Sequence, residues 1–241
     1  MSSAFPLHCI LFLDIETVPQ YDGHDNLPDA WKNLWELKAS YLVRNKESET
    51  PQTIYSRAGI YAEFGKIICI SCGLLQGSGQ EKKLIVKSFS GDDEMLLLHQ
   101  FSDMLNKWSA GGNKYLCAHN GKEFDFPYLC RRFIVNHLPI PEILRLSGKK
   151  PWDVPHLDTL ELWKFGDYKN YTSLNLLAYT LGVPTPKDDI DGSKVHEVYW
   201  KEKNLARIVT YCQKDVVTVA QIYLRMQDDS LIKSENIEIK Q

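Results

Sequence analysis

An α/β fold built on a mixed sheet is predicted by three features of the sequence. The first is an unbroken apolar or near-apolar run at residues 8–13, the habit of a central strand covered on both faces. The second is a hairpin pattern. Residues 66–76 and 82–90 are apolar and β-branched, and Gln76-Gly77-Ser78-Gly79-Gln80 separates them. The third is the alternation of helical and strand-like stretches that follows.

The first run ends in Asp14-Ile15-Glu16. Along a strand, residues i and i+2 point to the same side, so both acids project together from its carboxyl end. Two adjacent carboxylates repel and lose solvation, and a divalent cation such as Mg²⁺ or Mn²⁺ removes that penalty. The plainer alternative is a strand running out into a solvated turn.

From residue 18 to about 63 the chain is polar and uneven and reads as an insertion, about residues 20–62, placed to serve as a flap. Trp31, Leu34, Trp35 and Leu37 are spaced for one face of a helix, and residues 46–51 form a charged loop. The aromatics pack this helix onto the body or stack on bases. Gly77-x-Gly79 lacks the third glycine and the helix of a dinucleotide fingerprint. Asp92 and Asp93 open a helix with Leu96, Leu97, Phe101, Leu105 and Trp108 on its periodic face, and Gly111-Gly112 ends it.

A short strand then runs into His119-Asn120-Gly121, and a helix carries Phe124 and Asp125 in its first turns and continues to about Val135. A first-turn acid suits the helix dipole. His119 reads as a hydrogen-bonded structural residue before a metal ligand, and Phe124 as core or base-stacking surface. Arg131 and Arg132 are phosphate contacts or a solvated face. Residues 156–160 are the last short strand, with Asp158 either behind the site or capping a helix. Residues 173–181 form a helix closed by Gly182, and residues 186–191 a turn-rich acidic connection.

The final helix, about residues 204–226, buries Leu205, Ile208, Val209, Cys212, Val216, Val219, Ala220 and Tyr223. Asp215 falls inside that stripe, and Tyr211 lies one turn before it on the same face. A charge on the core side of a helix is expensive unless paired or bound to metal.

The chain has 241 residues, 44% hydrophobic and 24% charged, with a formal net charge of -3. This is the composition of a soluble globular protein and not of a general polyanion binder. No apolar run approaches the roughly 18 residues of a membrane span. Residues 1–6 lack the pattern of a signal peptide, so a cytoplasmic protein is expected. Cys69-Ile70-Ser71-Cys72 lies on a strand, where i and i+3 face opposite sides, so neither zinc nor a disulfide is expected there.

Taken in order, Asp14-x-Glu16, Asn120-x-x-x-Phe124-Asp125 and Tyr211-x-x-x-Asp215 resemble the motifs of the DEDD superfamily of 3′-5′ exonucleases. Thr210 stands where the histidine-bearing branch would have its histidine, so the likeness is to the tyrosine-bearing (DEDDy) branch. Within it, the chain is similar to stand-alone exonucleases related to the proofreading domain of family B DNA polymerases. The likeness runs over about residues 7–226. It implies a single exonuclease domain over residues 1–241 with a ribonuclease H-like (DnaQ-like) fold, a mixed five-stranded sheet flanked by helices. It implies two divalent cations, Mg²⁺ or Mn²⁺. Asp14 would bridge both, Glu16 and Asp215 would complete the first site, and Asp125 would serve the second through water. Tyr211 would orient the nucleophilic water, and Thr17, Asn120 and Phe124 would contact substrate. The implied partner is nucleic acid, DNA in preference to RNA, engaged at a single-stranded 3′ end and released as nucleoside 5′-monophosphates. It implies no membrane and names no protein partner. The competing readings are a non-catalytic nucleic-acid-binding or scaffold module on the same fold, and a metal phosphatase acting on small nucleotides.

Overall fold

The computed structural model describes residues 5–44, 48–167, 171–184 and 190–240. Most of the acidic connection at residues 186–191, and part of the charged loop at 46–51, lie outside them. In chain order the elements are β1 (Ile10–Pro19), α1 (Asp29–Leu42), β2 (Gly65–Gln76), β3 (Lys83–Ser90), α2 (Glu94–Ser109), β4 (Tyr115–Ala118) and α3 (Asp125–Val135). They continue as β5 (Leu157–Asp158), α4 (Thr159–Lys164), α5 (Leu174–Thr180), α6 (Val195–Trp200), α7 (Leu205–Met226) and β6 (Ile237–Lys240).

The sheet order is β5-β4-β1-β2-β3-β6, with β1 antiparallel to β2 and parallel to β4. It has six strands where five were expected. The added strand, β6, lies parallel to the free edge of β3 from Leu84↔Ile237 to Lys87↔Lys240. Ile237-Glu238-Ile239-Lys240 alternates apolar and charged, as a half-exposed edge strand does, but four residues are too few to stand out as a period.

β1 also differs from its expectation. It does not stop at the two acids but runs through them to Pro19, with a register shift against β2 between Glu16 and Thr17. Its two faces feed two cores. Leu11, Leu13 and Ile15 pack with Phe101, Leu105, Phe126, Leu129 and Phe133 of α2 and α3. Ile10 and Phe12 pack with Val216, Val219 and Tyr223 of α7. The period of two therefore aims Asp14 and Glu16 at α7. β4 pairs with β1 only from Ile10 to Phe12, so beyond that point the β4 side of β1 is open.

On α1 the buried positions are Trp35 and Ala39, with Trp31 half-buried, while Leu34 and Leu37 are exposed. The spacing of i, i+4, i+8 won over the wider face read from sequence. Leu96 of α2 is likewise exposed, and Leu98 is buried in its place. Arg132 is neither a phosphate contact nor a solvated side chain. It is buried, pairs with both carboxylate oxygens of Glu94 at 2.5–2.8 Å and donates to the Ala62 carbonyl. Arg131 is exposed.

Candidate active site

Three elements bring the sequence-predicted acids together. β1 aims Asp14 and Glu16 at the N-terminal turns of α7, where Tyr211, Cys212 and Asp215 lie. One oxygen each of Asp14 and Glu16 and the Cys212 sulfur lie within 4.8 Å of one another. The Cys212 thiol donates to the Asp14 carbonyl at 3.4 Å, which ties α7 to β1 at the site. The Tyr211 hydroxyl lies near the Asp215 carboxylate, one turn on. The helix forms where expected because Asn204 caps it, accepting from the Arg207 N–H at 3.1 Å, and its apolar stripe docks on the sheet.

The third stretch is set by a turn after β4. Asn120 has φ 61, a left-handed conformation that asparagine tolerates better than most residues. Its carbonyl accepts from the Phe124 N–H at 3.0 Å, which opens α3 with Asp125 as its first residue. The carboxylate of Asp158, at the end of β5, holds the turn from outside. It accepts from the N–H groups of Asn120, Lys122 and Leu160 at 2.9–3.0 Å. Asp158 thus both caps α4 and fixes the turn that carries Asp125. Asn120, expected to touch substrate, is not among the residues lining the cleft, because its conformation serves the turn. His119 has both ring nitrogens engaged, with Thr159 Oγ1 at 2.9 Å and the Thr172 carbonyl at 2.8 Å, so it is the structural histidine expected. Phe124 has a core contact and a cleft face. It packs against the core, with its ring 5.3 Å from that of Tyr128, and it lines the cleft.

Residues 60–236, nearly three quarters of the chain, match the family described as predicted 3′-5′ exonucleases related to the exonuclease domain of PolB. The chain belongs to this exonuclease family. Among solved structures it is similar to the family B DNA polymerase of the hyperthermophilic archaeon Pyrobaculum calidifontis, at 17% identity and a TM-score of 0.50. That likeness covers 95% of this chain and 27% of the polymerase, so it concerns the fold alone. The fold is the ribonuclease H-like one of the PolB exonuclease domain. Comparison with curated protein sequences found no match.

In this member of the exonuclease family the acids are held under electrostatic stress. Burial first, then Glu16, Asp215 and Asp125, push the Asp14 carboxyl well above its usual range. Burial and Asp215 do the same to Glu16. Asp125 is pushed up to about 7, by burial and then by Asp158 and Asp215, against hydrogen bonds from backbone amides including that of Ile15. Asp14 Oδ2 is buried with no hydrogen-bond partner among the described residues. An orphaned carboxylate oxygen amid further acids is the donor set that hard divalent cations prefer. The Cys212 thiol, beside these oxygens, is a soft ligand that hard cations do not prefer, and it is engaged with the Asp14 carbonyl. The Tyr211 hydroxyl is also raised far above its usual value, by burial and then by Asp215, Glu16 and Asp14.

The cleft at this site has a volume of about 740 Å³. Asp14, Glu16, Thr17, Phe124, Tyr211 and Asp215 line it, while Asp125 is buried and is not among the lining residues. Sequence reasoning missed most of its other walls. Ser56, Arg57, Gly59 and Ile60 come from the expected insertion and form part of the cleft wall. A Cβ on Gly59 would sit 2.9 Å from the Val18 carbonyl carbon, so only glycine lets this segment lie against β1. Tyr128 fixes it from below by donating to the Gly59 carbonyl at 2.7 Å. Asp191, Ser193 and His196 close the other side, at the start of the short α6, which had no periodic signal of its own.

Proposed function

We propose that the protein is a tyrosine-bearing DEDD exonuclease that hydrolyses a single-stranded nucleic acid, DNA in preference to RNA, from its 3′ end to nucleoside 5′-monophosphates. The observation that supports this most directly is the meeting of Asp14, Glu16 and Asp215 with one tyrosine hydroxyl on a cleft wall, with buried Asp125 near enough to act on Asp14. Residues 1–241 read as one exonuclease domain, with the insertion at about 20–62 shaping the substrate channel.

Asp14, Glu16, Asp125 and Asp215 would hold two divalent cations, Mg²⁺ or Mn²⁺, which when bound supply positive charge to the scissile phosphate and lower the barrier to its attack by water. The chain's own residues account for the rest. A tyrosine hydroxyl, with an ordinary pKa of about 10, is a poor unassisted base, so Tyr211 orients water as a hydrogen-bond donor and acceptor. Thr17 and Phe124 face the cleft, Phe124 offering a ring on which a terminal base can stack. Asn120 contributes through the turn that positions Phe124 and Asp125.

The test is a ladder assay with 5′-labelled DNA and RNA oligonucleotides in Mg²⁺ or Mn²⁺, and in EDTA. Stepwise shortening of the DNA from its 3′ end, absent in EDTA and in Asp14→Ala, is the expected result. Oligonucleotide binding with no ladder would point to the non-catalytic module. Release of phosphate without dependence on chain length would point to the small-nucleotide phosphatase.

A further inference from the structure

One helical turn along α6 from the cleft lies a second pocket of about 370 Å³, lined by Lys66, Asp92, Tyr199, Trp200, Lys203 and Leu205. It is built onto the same strand as the acids. Lys66 faces Val18 in the β1–β2 ladder, two residues past Glu16. The Trp200 indole donates to the Pro19 carbonyl at 3.1 Å, which pins the ring against the end of β1. Two ammonium groups then converge on that ring, Lys203 Nζ at 4.8 Å from its centroid and Lys66 Nζ at 5.3 Å.

The pocket's own carboxylate, Asp92, makes a direct ion pair with neither. The Tyr199 hydroxyl donates to Asp92 Oδ1 at 2.7 Å. Lys66 reaches only the Tyr199 oxygen at 2.8 Å and the Asp92 backbone carbonyl at 3.5 Å. Among the described residues, neither ammonium has a carboxylate within ion-pair distance. Lys203 is moreover held in a left-handed turn, φ 53, which fixes where its side chain starts. Burial pushes the Lys66 ammonium below its usual value, against the Asp92 and Glu94 carboxylates, which favour the charged form; Lys203 adds a smaller push in the same direction as burial. Two ammonium groups beside one carboxylate leave the pocket with a net positive charge, which favours an anion.

We propose that this pocket is a second, non-catalytic anion site that takes a backbone phosphate of the strand whose 3′ end enters the cleft. The proposal rests on the nuclease reading above. From His196, which lines the cleft, to Trp200 is about one turn, roughly 5.4 Å, against a rise of roughly 3.4 Å per stacked nucleotide. A strand leaving the cleft over α6 reaches the pocket within a few nucleotides. The two lysines give affinity without reading sequence.

The experiment is fluorescence anisotropy in EDTA, where binding is separated from cleavage, with a labelled oligothymidylate of about 12 nucleotides, within the site sizes of single-strand binders. Lys203→Ala is expected to weaken binding about tenfold and to lower the slope of log affinity against log salt by about 0.7, the value of one phosphate contact on a single strand. Lys203→Arg should restore both. Lys87→Ala, an equal charge loss on β3, should change neither. An unchanged salt slope in Lys203→Ala and in Lys66→Gln, with melting temperatures equal to the parent's, would overturn the proposal. So would an inorganic phosphate signal, measured by calorimetry, that vanishes in these variants while oligonucleotide affinity stays the same, since the pocket would then hold free phosphate and not the strand. The two readings fail separately. Lysine-dependent binding without any cleavage ladder would sink the nuclease and not the pocket, whereas a normal ladder with an unchanged slope would sink the pocket and not the nuclease.

Discussion

Glu94 and Arg132, between α2 and α3, and the acids around Asp14, between β1 and α7, are both clusters of buried charge, and they handle burial in opposite ways. Glu94 has its carboxylate saturated by Arg132 at 2.5 and 2.8 Å, by the Ile67 N–H at 2.7 Å and by the Asn136 amide at 3.0 Å. Asp14 has one buried oxygen with no partner among the described residues, and its near neighbours are other acids. The first cluster is complete as folded. The second is a set of ligands whose mutual repulsion is relieved only by something from outside. A buried charge that the fold satisfies holds the fold together, and a buried charge that the fold leaves unsatisfied marks a site.

The sharpest break between the clusters should come from Asp14. Asp14→Ala is expected to lower exonuclease activity by at least about 10³-fold, as loss of a central charge-stabilising group does. Asp14→Asn, which relieves repulsion, should raise the melting temperature in EDTA. An Asp14→Ala protein that cuts at the parental rate would remove the acids from the reaction. The paired cluster should do the reverse. Arg132→Ala strands the Glu94 carboxylate and is expected to destabilise the fold by about 3–5 kcal/mol, while the rate per folded molecule stays near that of the parent. Denaturant melts alongside single-turnover rates measure both halves. A loss of rate without a loss of stability would contradict the structural role of Arg132.

Tyr211 sharpens the comparison inside the active cluster. Tyr211→Phe conserves the ring and deletes the hydroxyl that meets Asp215. It is expected to leave oligonucleotide affinity unchanged and to slow the chemical step by about 10²-fold. A single-turnover rate within twofold of the parent would reduce Tyr211 to a packing residue.

How much of this was legible in the sequence follows the range of the interactions. α7 was readable nearly to the residue, because its cap and its stripe are local patterns, and Asp215 stood out as an acid within that stripe. The alternation in β1 gave the shared side of Asp14 and Glu16, though not the strand's continuation through them. The pairing of Arg132 with Glu94 spans 38 residues and could not be seen in either helix alone. The same is true of Gly59 against Val18 and of Asp158 on the turn before Asp125. Each is a contact between segments whose own patterns say nothing of the partner. β6 and α6 were missed for a different reason, since four and six residues carry too little periodicity.

The smallest predicted effect concerns pH, and it separates the clusters by sign. Asp125 is raised from 3.8 to about 7, chiefly by burial. Between those values the folded protein keeps a proton that the unfolded chain has lost, so in EDTA stability falls as pH rises through the window. The contribution is fully present below the unfolded value and gone above the folded one. Asp125→Asn has no proton to lose, so its melting temperature relative to the parent should climb from pH 5 to pH 8 by a few degrees, at about 2–4 °C per kcal/mol for a chain of this size. Saturating Mg²⁺ should erase the difference, because a bound cation favours the ionised parent and not the amide. Arg132→Ala, measured in the same series, should lie below the parent with and without Mg²⁺. If the gap between Asp125→Asn and its parent is the same at pH 5 and pH 8, Asp125 does not titrate in this range and does not belong to the stressed set. If the gap changes with pH but ignores Mg²⁺, Asp125 is a buried acid that holds no cation.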